Sequence, residues 1–457
     1  MEDNYSWGIT PAEKASAMLC MEKAMGDGAS ACRLTLNKSL ANMVSILDGQ
    51  VDKIASSADK SLTVNLFADG RYGTFSTNDL SPDGIGCFVS RAIDIVRNIA
   101  PDGCRRLPGR ERICTTARTG LELGLCDGAF PSVSPQKRIE MARISAEGAF
   151  SSLPAGLKPL SSETAYTDSV SDCLVLDSEG LECRHIETSY ETDSETTLLT
   201  PSGERVSGTW WDAAPKLEDF RYEGCAAKAS ARAAAMASPG TLEGGRYRMV
   251  VENDVASRLL TPVLAALGGF AIQQKNSFLK DALGRKVFPE GLYVEDSPLE
   301  HGRPGSRLFD SEGTASSRAG IISGGVVERF FINTYISAKT GLPPTIEDAI
   351  RPAVAPFLGG RCRERVSLEE ILDACHDGIY VTGFNGGNCN SATGDFSYGV
   401  EGFAIRNGKI DFPVREMLIT GNMISLWNNL LAAGSDWRPC SVRRIGTLAF
   451  DGVSFSS

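Results

Sequence analysis

Histidine is scarce in this chain. Its 457 residues include three, His185, His301 and His376. That limits the imidazole-based metal and acid–base chemistry open to it. No HExxH or HExxxH pair occurs, no GxSxG elbow and no GxxxxGK[ST] phosphate loop. The thirteen cysteines never fall in a CxxC pair, so the spacing for a thiolate metal site is missing. Buried, reduced thiols acting as small hydrophobes are expected, with no metal and no cofactor. Positive charge is also short. The formal net charge is −11, which argues against a nucleic-acid surface. The basic run at 361–365 reads as a solvated face. The apolar stretch 263–272 is far shorter than the ~20 residues of a membrane-spanning helix. The first twenty residues are acidic and then amphipathic, without a basic and then apolar leader pattern. A cytoplasmic protein with no membrane or nucleic-acid partner is the expectation.

What is present is an ordinary globular composition, 42% hydrophobic and 23% charged. The length suggests two domains. Residues 12–25 have helical spacing in Ala15, Met18, Leu19 and Met25. Residues 31–77 alternate in runs separated by Asp48-Gly49 and Asp69-Gly70, the pattern of an antiparallel meander. A helix over 82–100 would bury Val89, Ala92, Ile93 and Val96. An irregular connection follows to residue 134, then a helix over 135–149 with Ser134 before Pro135. Residues 161–199 are strand-like, and the polar stretch 187–199 suggests an exposed or edge strand. Trp210-Trp211 reads as core or interface packing. An Ala-rich helix over 222–237 ends at Ser238-Pro239-Gly240, where a boundary between domains 1–240 and 241–457 is expected.

The second half opens with a strand at 247–252 and a helix at 256–267, with Asn253 or Asp254 as its cap. Leu259, Leu260, Val263, Leu264 and Leu267 form its stripe. Pro262 should kink it, or start a new helix capped by Thr261. Two strands should meet at Gly324-Gly325 within 321–332, and Ser367 with Glu370 marks a capping box. A helix over 422–433 and strands at 442–445 and 447–453 close the chain. Antiparallel strand blocks with helices between them imply an α+β fold, each domain holding a largely antiparallel sheet with flanking helices.

The most distinctive stretch is 383–413, with seven glycines. Its first part, 383–390, should be a tight loop with exposed amides. Phe396, Tyr398 and Val400 alternate, Phe403 and Ile405 fall out of step, and Gly402 suggests a bulge between them. Asn407-Gly408 signals a hairpin. Asp395 reads as a solvated acid or a cap to the loop. Cys389 could act as a nucleophile only if the fold brought His376 beside it.

The segment TGDFSYGVEGFAIRNGKIDFPV at 393–414 resembles the TldD/PmbA family, once described as modulators of DNA gyrase, and within it the PmbA/TldE branch. The FDSEGT loop at 309–314, residues 259–279, 333–341 and 419–437, and the VDKIASS…SLTVNLFADGRYG run agree. The resemblance implies one half of a cytosolic two-subunit peptidase. The TldD-type subunit would carry HExxxH on a helix and a later cysteine as zinc ligands. The equivalent positions here are Thr261, Pro262 and Ala266, none of which replaces a histidine or a general base. The resemblance therefore implies a chain without the zinc site and without catalytic residues of its own. Asn385, Gly386, Gly387 and Asn388 would bind an unfolded or leader peptide. The partner would be a TldD-like catalytic subunit or a second copy. A stand-alone peptide-binding scaffold is the alternative.

Overall fold

The structure, a computed structural model, describes residues 7–456. Helix α1 (Pro11–Gly26) starts at a capping box, with Thr10 accepting from the Glu13 amide and Glu13 accepting from the Thr10 amide. It buries Ala17, Cys20 and Ala24. Met18, Leu19 and Met25 point outward, so the expected stripe lies on the wrong side. Small side chains at that spacing let α1 sit close to its neighbours, and close packing outweighs hydrophobic rank.

Strands β1 (Ala31–Leu47), β2 (Gln50–Ala68) and β3 (Arg71–Thr77) form the meander. Asp48-Gly49 and Asp69-Gly70 take positive φ at both turn residues, as tight two-residue hairpins require. Helix α2 (Pro82–Arg97) buries Val89, Ala92, Ile93 and Val96. After the irregular connection come α3 (Pro135–Ala146), β4 (Lys158–Asp177), β5 (Glu182–Leu199), β6 (Arg205–Ala214) and α4 (Cys225–Ala235). The first sheet runs β3-β2-β1-β4-β5-β6.

The polar strand β5 is therefore internal, and β6 takes the edge. Thr188, Thr192, Ser194 and Thr196 are buried, and their hydroxyls are bonded. Thr164 and Ser194 pair at 2.7 Å, and Thr188 donates to the Pro215 carbonyl at 2.6 Å.

Beyond residue 240 the chain lays down β7 (Gly245–Val251), α5 (Ser257–Ala266), α6 (Gly269–Gln273) and a small sheet. That sheet contains β8 (Val294–Asp296), β9 (Ala319–Ser323), β10 (Val326–Val327) and, after α7 (Thr334–Thr340), β11 (Pro352–Val354). Strands β12 (Phe357–Leu358) and β13 (Arg361–Cys362) precede α8 (Leu368–Cys375), which has the Ser367–Glu370 capping box. Then come β14 (Gly378–Cys389), β15 (Asp395–Arg406), β16 (Lys409–Asn422), α9 (Met423–Asn428), β17 (Leu430–Ala433) and β18 (Leu448–Ser456).

Strand β7 pairs in parallel with β14 and antiparallel with β18, and β18 also pairs with β16. The strands β7-β14-β15-β16-β18 thus close into a ring. Its core holds Met249, Val251, Tyr398, Val400, Ile419, Trp427 and Phe450, with Leu259, Leu260 and Val263 of α5 packed in. Trp427 donates its indole N–H to the Leu259 carbonyl at 3.3 Å.

Several expectations are corrected here. Residues 383–389 are strand, the second half of β14, and the turn follows at 391–393. Asn390 shapes that turn by accepting the Ala392 amide at 2.9 Å. Gly402 is not itself a bulge. The extra residues lie on the neighbouring strands, where register shifts opposite it. A Cβ on Gly402 would overlap the Tyr380 carbonyl. The apolar phase changes because Phe403 and Ile405 face a second cluster with Tyr380, Ile371 and Leu372 of α8. The closing helix stops at Asn428, because 430–433 pair with β18 and β12. Residues 442–445 form no strand.

Neither Asn253 nor Asp254 caps α5. Asp254 instead accepts from the Trp211 indole at 3.0 Å and from Arg438 at 2.7 Å, and Arg438 stacks on Trp210 and Trp211. The tryptophan pair is a packing joint between β6 and the second half of the chain. A single helix runs through Pro262, and Thr261 donates its hydroxyl to the Ser257 carbonyl at 2.8 Å. No disulfide joins the described cysteines, and Cys87 and Cys362 are exposed where burial was expected. Among the described residues no helix is long and apolar enough to cross a membrane.

Gly402→Ala should cost about 3 kcal/mol, since the Tyr380 carbonyl cannot move without breaking the ladder. Gly26→Ala, at the open end of α1, should gain about 0.5 kcal/mol. Urea unfolding of the two variants beside the parent checks both signs.

Candidate substrate cleft

Strand β14 is paired on both sides only at its start. Residues 378–381 pair with 248–251 of β7, and the Glu252 amide bonds the Val381 carbonyl at 2.9 Å. There the chain leaves the sheet to enter α5. From Thr382 to Cys389, β14 pairs with β15 alone. Its other edge is open, and α5 lies alongside.

Gly386 and Gly387 have φ of 77° and 83° and sit in a register shift between Asn385 and Asn388. A Cβ on Gly387 would overlap the Ser397 carbonyl. Glycine is thus needed here for both the positive φ and the close approach of β15.

Between this edge and α5 lies an open, mostly apolar cleft of about 270 Å³, lined in part by Thr261, Pro262, Ala266, Gly387, Asn388 and Cys389. Phe278 and Tyr398 give it aromatic walls, and Arg258 stands at its rim. Arg258 donates to the Gly387 carbonyl at 3.1 Å and sits 5.1 Å from the Tyr398 ring centre. Thr261 accepts a hydrogen bond from Arg443. Burial, with the charge of Asp395 added, pushes the Cys389 thiol above its usual range.

The fold thus brings together most of the residues singled out in the sequence. Thr261, Pro262 and Ala266 share one cleft with Gly387 and Asn388. Asn385 and Gly386 are exposed on the same strand but do not line it. Asp395 is exposed and bonded to Thr393 and Asn422, which braces the turn. His376 lies before the start of β14 and Cys389 at its end, separated by roughly 35 Å of strand. His376 bonds Asp377 at 2.7 Å, so the thiol–imidazole pairing does not form. Arg258, Phe278, Tyr398 and Arg443 were not anticipated. Arg258 alone had a readable signal, standing one turn before Thr261 on the same helix face.

A divalent metal does not fit this cleft. Its lining has no imidazole and no carboxylate, but hydroxyls, a thiol and the Asn388 amide beside a guanidinium. Among the described residues no three His, Cys, Asp or Glu side chains gather into a metal-holding group.

Three family descriptions match the chain. They are "PmbA/TldA metallopeptidase domain 1" over 33–96, the central domain over 128–237 and the C-terminal domain over 244–457. The chain belongs to the PmbA/TldD family. It is similar to the metalloprotease PmbA of Escherichia coli O157:H7, 28% identical over 431 residues, covering 93% of this chain and 91% of that one. It is also similar to a crystal structure from Bacteroides thetaiotaomicron described as a candidate modulator of DNA gyrase. That chain is 36% identical with TM-score 0.92, over 98% of this chain and 100% of the other. TldE from Thermococcus kodakarensis shares the fold, with TM-score 0.77 at 15% identity over 97% of this chain and 100% of that one. These likenesses bear out the α+β class.

The FDSEGT loop that contributed to the family resemblance does not line the cleft. Asp310 turns it by accepting the Glu312 and Thr314 amides, each at 2.9 Å. Burial, opposed by the Thr314 and Glu347 amides and reinforced by the charges of Glu312 and Glu347, raises its carboxyl from 3.8 to about 6. The folded state then holds a proton that the unfolded chain releases, so this group's contribution to stability falls as pH rises from about 4 to 6. Asp310→Asn should flatten that part of the stability–pH curve, measured by urea unfolding from pH 4 to 7.

Proposed function

We propose that this chain is the PmbA/TldE-type subunit of a cytoplasmic two-subunit peptidase. In that assembly it holds an unfolded or leader peptide while a TldD-like subunit supplies the zinc chemistry. The observation that carries the reading is the open edge of β14 at 382–389, facing a helix whose motif positions are Thr261, Pro262 and Ala266. An open edge offers main-chain donors and acceptors to an incoming extended peptide, and this mode recognises peptide without requiring one sequence. The cleft beside it supplies an apolar wall for side chains on one face of the added strand. Every peptide-holding element lies in residues 241–457, which we take as the second domain. Relatives of this chain are named metalloproteases, while the lining of its own cleft carries no imidazole and no carboxylate, which supports the reading. The role left to it is substrate-holding.

Reconstitution tests this. The purified chain should neither retain stoichiometric zinc nor cut an unstructured peptide. Mixed with a TldD-type subunit from the same source, it should co-elute and the mixture should cut. Gly387→Val should leave the far-ultraviolet dichroism intact and lower the mixture's cleavage rate by about tenfold or more, because the edge loses its shape. Zinc-dependent cleavage by the chain alone would contradict the proposal. Co-elution and peptide retention without cleavage would point instead to the scaffold reading.

A further inference from the structure

The cleft beside β14 carries positive charge that none of its own side chains answers. Arg258 is exposed at the rim and makes no ion pair among the described residues, only its bond to the Gly387 carbonyl and its stacking on Tyr398. Arg443 is half-buried and donates to the Thr261 hydroxyl, again without a carboxylate partner. Burial lowers its guanidinium below the usual arginine range, so a counter-charge there would be favourable. No Asp or Glu lines the cleft. The arginines nearby in sequence are answered: Arg438 pairs with Asp254 at 2.7 Å, and Arg444 with Glu300 at 2.5 Å. Arg443 reaches the cleft through Thr261, whose hydroxyl it bonds and which lines the cleft together with Arg258, Pro262 and Ala265.

We propose that the cleft binds a carboxylate of the added peptide on Arg258 and Arg443 beside Thr261, with a neighbouring apolar side chain against Pro262, Phe278 and Tyr398. This rests on the reading that the β14 edge takes an extended peptide, and it adds a substrate preference to it. Guanidinium groups suit a carboxylate because they offer paired N–H donors, and apolar surroundings strengthen the contact. The carboxylate has two sources, the peptide's own C-terminus or an Asp or Glu side chain.

The test uses the full chain, alone and with its TldD-type partner, and fluorescence anisotropy of a labelled unstructured decapeptide. The parent peptide carries one Phe, one Glu and a free C-terminus. Three relatives carry an amidated C-terminus, Gln for Glu, or both. Loss of the recognised carboxylate should weaken binding by about tenfold or more, the size of a charge-assisted hydrogen bond, and the single changes show which source it is. Arg258→Gln and Arg443→Gln should each shrink that difference. Arg258 is exposed, so its variant keeps the test valid should the Arg443 variant fail to fold. A doubly neutral peptide that binds as tightly as the parent overturns the carboxylate subsite and leaves the strand-edge reading standing. Failure of all four peptides to bind overturns the strand-edge reading, and the subsite with it.

Discussion

The second half of the molecule depends on where one hydrogen-bond ladder stops. Strand β7 accompanies β14 for four residues and then turns away into α5. Had it continued, β14 would be internal along its whole length. Because it leaves at Val251, the rest of β14 keeps a main-chain edge, and the helix that replaces β7 becomes the opposite wall of a cleft. Open edges are a hazard in soluble proteins. Here the edge is kinked by a glycine bulge, flanked by asparagines and partly occupied by Arg258, which takes the Gly387 carbonyl.

That arrangement explains why α5 and the glycine run belong to one account although more than a hundred residues separate them. In a metallopeptidase of this plan the helix wall would be the place for imidazoles one turn apart. In this chain it presents a threonine, a proline and an alanine. Pro262 is accommodated inside the helix, and the Thr261 hydroxyl back-bonds to Ser257 and accepts from Arg443. Beside Arg258 and Arg443 the wall presents a hydroxyl and apolar surface, in keeping with the proposed substrate-holding role.

Much of this was legible in the sequence, for identifiable reasons. Asp48-Gly49, Asp69-Gly70 and Asn407-Gly408 fixed their hairpins because their turn geometry demands those residues. The stripe of α2 was readable because its buried side is its large apolar side. That of α1 was not, because its buried side is its small side. The polarity of β5 suggests an edge, while its buried hydroxyls are satisfied by hydroxyls of β4 and by neighbouring carbonyls. The glycine run reads as a loop in the sequence and is strand in the fold. Composition cannot distinguish a loop from a bulged strand whose neighbour approaches too closely for a Cβ. Within the cleft, Thr261, Pro262, Ala266, Gly387 and Asn388 were readable through the family resemblance. Phe278 and Tyr398, and Arg443 behind Thr261, were not, because only the tertiary fold brings these distant segments near α5.

The central claim is that β14 receives a peptide as an added strand. Amide hydrogen exchange of the chain with and without a saturating unstructured peptide tests it most directly. Slowed exchange concentrated in residues 382–389, with the 248–251 pairing region unchanged, is the predicted result. Peptide binding that leaves exchange in 382–389 unaltered would contradict the account.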